Sequence, residues 1–205
     1  GNLVGFEAGK WSSDEWAALQ AHQRYLLQVG FVDRLLGKLL NRLRDVGLYE
    51  QSLVAVTADH GVSFCPNDGR RNPSATNFFD IMPIPLFIKA PYQQTGVVSD
   101  RNVETIDILP TLTDILDIPL PWPVDGQSAI DPAVPERENK VIADAKVKER
   151  QVYETSALEA KYETLQRQLR FLGSGRDKEK LFKIGPYPEL VGRQVSAVGV
   201  IEQTG

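Results

Sequence analysis

The sequence predicts an α/β fold, a mostly parallel sheet flanked by helices, with a small C-terminal α+β appendage. Three observations carry this. A long amphipathic stretch runs through a short loop into an apolar, strand-like segment. A second apolar segment follows between prolines. A proline-rich stretch then separates these from a further helical pattern near the C-terminus.

The long stretch begins where Ser12 and Glu15 stand at capping-box spacing, and behind them Leu19, Leu26, Leu27, Val29, Val32, Leu35, Leu36, Leu39, Leu40 and Leu43 recur at intervals of three and four. That periodicity predicts a helix over 13–46 with one apolar face. Gly47 stands where a helix C-terminus favours glycine, and Arg42 and Arg44 complement the helix dipole there. The loop "LYEQS" leads into Leu53 to Thr57, whose near-continuous apolar character predicts a parallel strand covered on both faces. After a polar loop from about Ser63 to Asn77, "IPLFIKAP", bounded by Pro85 and Pro91, reads as another strand. In "TIDILPTLTDILDI", Asp107 is placed to cap a short helix, with Pro110 in its first turn, where proline is tolerated.

From Ile118 to Glu138, five prolines among Gly126 and acidic residues favour an extended linker. The expected organisation is therefore a main domain over 1–130, a linker over 131–140 and a C-terminal subdomain over 141–205. In the last, "VIADAKV" suggests a strand, Leu158, Tyr162, Leu165, Leu169 and Leu172 make a helical stripe ending at Gly173, and the tail suits one or two short strands.

Composition narrows the function. Of 205 residues, 42% are hydrophobic and 24% charged, ordinary values for a globular protein. A net charge of -4 without a basic cluster offers no electrostatic footprint for nucleic acid or an anionic membrane surface. Cys65 is the only cysteine, so no internal disulfide forms. No apolar run approaches the roughly 20 residues of a membrane-spanning helix, and the first residues lack a signal-peptide pattern. The only methionine is Met82, so the chain reads as a piece of something longer.

The chemistry concentrates at "LVAVTADHGVSF", residues 53–64, where a strand-like run ends in Asp59, His60 and Gly61. In open α/β sheets ligands sit beyond the carboxyl ends of strands. Carboxylate oxygen and imidazole nitrogen both ligate divalent cations, and Gly61 permits the sharp turn that lets neighbouring side chains converge. A second reading stays open on these residues: Asp59 caps the turn and His60 is a hydrogen-bonded loop residue. Arg70 and Arg71, the nearest cations, suit bidentate contact with an anionic ester or simple solvation. His22 reads as a helix-surface or satisfied histidine, Asp33 as a helix-face acid, and Trp11, Trp16 and Trp122 as packing anchors.

Taken in order, "RYLLQVGFVDRLLGKLLNRLRDVGLYEQSLVAVTADHG", "IPLFIKAP" and "VETIDILPTLTDILDIPLPWPVDGQS" resemble the later part of the sulfatase catalytic domain, within the alkaline phosphatase superfamily, over about residues 20–130. The likeness is nearest to bacterial membrane-anchored sulfatase-like proteins. It implies a partial alkaline-phosphatase-like sandwich and a metal-ligand role for Asp59 and His60 toward Ca²⁺, Mg²⁺ or Mn²⁺. It also implies a formylglycine nucleophile, made from Cys or Ser in a Cys/Ser-x-Pro-x-Arg motif. These residues contain no such motif, and Cys65 in "FCPNDGR" follows the metal pair with its proline at the wrong offset. No lysine or arginine stands at 72–84, where the family tends to place a substrate-contacting lysine.

The resemblance therefore implies a metal-dependent sulfuric ester hydrolase, anchored to a membrane with its domain outside the cytoplasm and acting on a small-molecule, glycan or lipid ester. This chain would be soluble, inactive alone and prone to self-association. The alternatives are a phosphoglycerol or phosphoethanolamine transferase of the same superfamily, and a catalytically dead structural or partner-binding module.

Overall fold

A computed structural model describes residues 3–74, 76–137, 139–143, 150–154, 162 and 166. The chain opens with a hairpin unforeseen in the sequence: β1 (Phe6–Glu7) pairs antiparallel with β2 (Lys10–Trp11). Ala8 at φ 50° and Gly9 at φ 83° close it, both central residues left-handed as a type I′ turn demands. Trp11 is buried, and its indole N–H donates to the Ser63 carbonyl at 2.8 Å, fastening the hairpin to the loop that carries the Asp-His corner.

Helix α1 (Glu15–Asp45) fills the predicted stretch. Its cap is Asp14, whose Oδ1 accepts from the Trp16 amide at 2.9 Å, so the cap lies two residues beyond Ser12. Gly47, at φ 72°, follows its end in the left-handed conformation that glycine takes there. The apolar stripe is a finding against expectation. Ala17 and Ala18 are buried, but Leu27, Val29, Phe31, Val32, Leu35 and Leu39 are exposed. Among the described residues nothing covers that face.

Strand β3 (Val54–Thr57) pairs with β4 (Leu86–Lys89), in register Val54↔Lys89 through Thr57↔Leu86. The pairing corrects the expected parallel sheet: it is antiparallel, as are all sheet pairings among the described residues. Nor is β3 covered on both faces, since Val54 and Val56 are half-buried while Ala55 and Thr57 are exposed. A near-continuous apolar run reports what a strand can bury, not which neighbour it pairs with. Lys89 anchors the base of this pair, donating from Nζ to the carbonyls of Tyr49, Glu50 and Ser52 while lying 4.8 Å from the Tyr49 ring centre.

Between the strands, the expected polar loop is tightly built and ends in a short helix, α2 (Phe78–Ile81). Asn77 is fully buried; its amide nitrogen donates to the Gly69 and Asn72 carbonyls at 2.8 and 3.0 Å, and its oxygen accepts from the Ser74 amide. Asp68 accepts from the Ser74 and Thr76 hydroxyls and the Gly69 amide. Burial works to raise the Asp68 pKa, but these donors outweigh it and hold the carboxyl below its ordinary range. The core of this region comprises Trp11, Ala17, Ala18, Phe78 and Ile81, with Ser63 and Asn77 among them.

A 3₁₀ turn (Thr105–Asp107) leads into α3 (Ile108–Ile115), with Pro110 buried in the first turn. Asp107 does not cap α3 with its side chain. Instead its buried carboxylate pairs bidentately with Arg137 and accepts from the Glu104 and Gln127 amides. The proline-rich stretch is correspondingly fastened: Arg101 donates to the carbonyls of Ala129, Asp131 and Val134. Strands β5 (Asn139–Ala143) and β6 (Arg150–Glu154) form a third antiparallel pair. The expected helix over Leu158 to Leu172 and the tail strands lie outside the described residues. Trp16 and Trp122 are exposed, so of the three tryptophans read as packing anchors only Trp11 is one. Among the described residues no helix is long and apolar enough to cross a membrane.

Candidate metal-binding corner

The backbone turns out of β3 at Asp59. Oδ1 of Asp59 accepts from the His60 amide at 2.9 Å, which leaves Oδ2 directed toward the ring, 3.5 Å from His60 Nε2. His60 Nδ1 lies 2.7 Å from the Gly61 carbonyl. A carbonyl oxygen only accepts, so Nδ1 carries the proton and, in the neutral ring, Nε2 presents its lone pair beside the Asp59 carboxylate. The Asp59 side chain is 87% exposed and that of His60 36%, so solvent reaches both.

Gly61 makes the turn possible by close approach. Its amide donates to the Ile81 carbonyl at 2.6 Å, and a Cβ there would collide with the carbonyl of Asp80. The corner is thus docked on the backbone of α2, which also delivers Asp80, a residue that sequence reasoning missed. Asp80 Oδ2 accepts from the Ser63 hydroxyl at 3.1 Å and from the Cys65 thiol at 3.5 Å. Burial pushes the Cys65 thiol pKa up and the Asp80 charge adds to it, so the environment works against a thiolate nucleophile.

Beside the corner lies a cavity of about 340 Å³, lined by His60, Cys65 and Asp80 together with an aromatic wall and prolines. The wall joins α1 to the loop. His22 stacks on Phe64 with ring centres 4.6 Å apart and planes at 12°, and Tyr25, one turn along α1, lies 5.5 Å from Phe64. His22 is thus half-buried against an aromatic ring, and both histidines of the chain line one cavity. The signal available for this was the i, i+3 spacing of His22 and Tyr25 on one helix face. Arg70 and Arg71 do not line the cavity. Arg70 is partly buried, with Nε lacking a partner; burial, then the charge of Arg71, lowers its pKa. Among the described residues, no group of three or more His, Cys, Asp or Glu side chains is arranged to hold a metal ion.

A family profile described as "Sulfatase" matches residues 5–118, from the first hairpin through the Asp-His corner and α3. The chain belongs to the sulfatase family. Membership implies an alkaline-phosphatase-like α/β fold, of which the described elements form a small part with short sheets. The chain is 30% identical over 122 residues to bovine (Bos taurus) arylsulfatase K, covering 60% of this chain and 22% of that protein. It is 34% identical over 95 residues to human (Homo sapiens) N-sulphoglucosamine sulphohydrolase, covering 45% of this chain and 18% of that protein. A 2,3-bisphosphoglycerate-independent phosphoglycerate mutase of Gloeothece citriformis is 34% identical over 108 residues, covering 50% of this chain and 19% of that protein. The chain thus spans about a fifth of the length of the relatives it matches.

Proposed function

We propose that this chain supplies the cation-binding corner of a metal-dependent sulfuric ester hydrolase. The observation that carries the reading is the pairing of Asp59 Oδ2 and His60 Nε2 at 3.5 Å, with the ring's other nitrogen tied to a backbone carbonyl. That tie is the kind of outer contact that fixes a ligating histidine's tautomer and orientation. The separation also suits a shared ion: two adjacent donors on a Ca²⁺ held at about 2.4 Å lie about 3.4 Å apart. Asp59 and His60 are therefore the residues that would hold the cation, which when bound would offset negative charge on the ester oxygens.

The rest of the chemistry falls to this chain's own groups. The Gly61 carbonyl accepts from Nδ1 of His60 and so orients the ring, and His22, Tyr25 and Phe64 line the same cavity as His60. No residue here is assigned as nucleophile: the formylglycine motif is expected outside these 205 residues, and Arg70 and Arg71 would contact the ester only if brought to it by parts beyond the described ones. The reading extends to a longer protein anchored at a membrane with this domain outside the cytoplasm, on the support of the sequence's likeness to such proteins.

The test is made in the longer protein. Asp59→Ala and His60→Ala should each lower kcat/KM for an aryl sulfate by at least about a hundredfold. Full turnover in both variants would overturn the assignment. A second reading, phosphoryl transfer, is supported by similarity to a phosphoglycerate mutase, and turnover of phosphate rather than sulfate esters would favour it.

A further inference from the structure

We infer that Asp80 is a positioning residue for the corner: through Ser63 it sets the peptide group of Gly61, whose carbonyl decides which nitrogen of His60 carries the proton. For its bearing on the reaction this rests on the cation-binding reading above, but the residue lies outside the Asp59 and His60 pair and on another element.

Three observations converge. First, Asp80 stands on a seated base. Phe78 and Ile81 of α2 are both buried, and the buried Asn77 just ahead of them is tied to the Gly69 and Asn72 carbonyls. Second, α2 grips the corner loop at two points, one on each side of the Gly61 carbonyl. Before it, the Gly61 amide donates to the Ile81 carbonyl at 2.6 Å; after it, the Ser63 hydroxyl donates to Asp80 Oδ2 at 3.1 Å. Between these two points the Gly61 carbonyl accepts from His60 Nδ1 at 2.7 Å. Turning that carbonyl away would strand the Nδ1 proton and let it pass to Nε2, the atom that must stay bare to meet a cation. Third, Ser63 is fully buried with each of its polar groups engaged. Its Oγ accepts from the Cys65 amide at 3.2 Å, its amide donates to the Arg70 carbonyl, and its carbonyl accepts from the Trp11 indole. A hydroxyl has one proton to give, and here Asp80 receives it; without that acceptor the buried hydroxyl must move or stay unpaired. The Cys65 thiol donates to the same Oδ2 at 3.5 Å, so one carboxylate oxygen ties both residues 63 and 65 to α2.

The experiment reads the His60 tautomer from the imidazole nitrogen shifts of the nitrogen-labelled 205-residue chain, at a pH where the ring is neutral. In the unsubstituted chain Nδ1 should carry the proton. Asp80→Ala should lower the ratio of the Nδ1–H to the Nε2–H form about tenfold, roughly what one hydrogen bond is worth. Asp80→Asn keeps an acceptor oxygen for Ser63 and should bring the ratio back to within about twofold of the original. Backbone amide signals of β3 and β4 report that the fold is kept. Ser63→Ala severs the same bond from its other side, and supplies the readout should Asp80→Ala lose those signals. A ring that keeps its Nδ1 proton when the bond is severed overturns the proposal. So does an unsubstituted chain with the proton on Nε2. A loss in Asp80→Asn as large as in Asp80→Ala overturns it too, since charge and not the bond would then be acting. The cation-binding reading is checked apart from this: if the tautomer responds as expected but His60→Ala leaves aryl sulfate turnover intact in the longer protein, the positioning stands and that reading fails.

Discussion

His60 Nε2 stands 3.5 Å from Asp59 Oδ2 while His60 Nδ1 is held 2.7 Å from the Gly61 carbonyl, so two adjacent residues at the end of one strand present two lone-pair donors side by side. In the neutral imidazole the two lone pairs stand side by side, and a divalent cation would accept both. Two protein ligands against the six or more oxygens that Ca²⁺ prefers make a weak site. The chain should bind Ca²⁺ with a dissociation constant of about 1 mM or weaker. Calorimetry or the His60 imidazole signal would follow it, and binding undiminished in Asp59→Ala would place the ion elsewhere.

The chain by itself should not turn over chromogenic aryl sulfates or phosphates in Mg²⁺, Ca²⁺ or Mn²⁺. Cys65 lies in a setting that disfavours its thiolate, and no formylglycine motif occurs in the sequence. Turnover above a buffer blank that persists in Asp59→Ala would show that the corner has been misassigned.

Asp107 should make stability fall in acid. Burial works to raise its pKa, but the bidentate bond from Arg137 and the Gln127 and Glu104 amides outweigh burial and hold it below the ordinary carboxylate range. In the unfolded chain it returns to about 3.9, so its contribution is full above that value and is lost as pH falls through the lower, folded pKa. Urea midpoints should therefore drop from about pH 5 downward. Asp107→Asn should cost about 2 kcal/mol at pH 7, leaving Arg137 only the more distant Glu104, 4.0 Å from its Nε, as a charge partner, and should flatten part of the acid slope. An unchanged slope would remove Asp107 from this role.

Gly61→Ala should cost about 1–3 kcal/mol, because the added Cβ meets the Asp80 carbonyl and the turn must open. The same change at Gly30, with open space around it inside α1, should be neutral or stabilising by up to about 1 kcal/mol. Thermal unfolding compares the two, and equal effects would mean that the corner is not docked on α2 as described.

Self-association is the expected consequence of the bare stripe on α1. Phe31, Leu35 and Leu39 recur every four residues and are all about half exposed or more. Light scattering should show mass rising with concentration. Leu35→Glu with Leu39→Lys should suppress the rise while changing stability by no more than about 0.5 kcal/mol per site. A monomer at every concentration in the unsubstituted chain would defeat the prediction.

Local structure was legible in the sequence because it depends on neighbours in the chain. Helical spacing and Gly47 placed α1 within two residues at its start and one at its end; the prolines bracketing residues 86–89 framed β4; and an acid, a histidine and a glycine after an apolar run located the corner. What required tertiary structure depends on residues far apart. The antiparallel pairing of β3 with β4 was not written in either strand, since an apolar run specifies burial and leaves pairing direction to the connection between them. Asp107 looked like a helix cap, yet its carboxylate is claimed by Arg137, thirty residues on. Asp80 carried no motif at all and matters only because Gly61 lets the backbone close against α2. His22 read as a surface histidine because its partner, Phe64, comes from another element; packing brought the two together beside His60, and so decided what kind of cavity the corner faces.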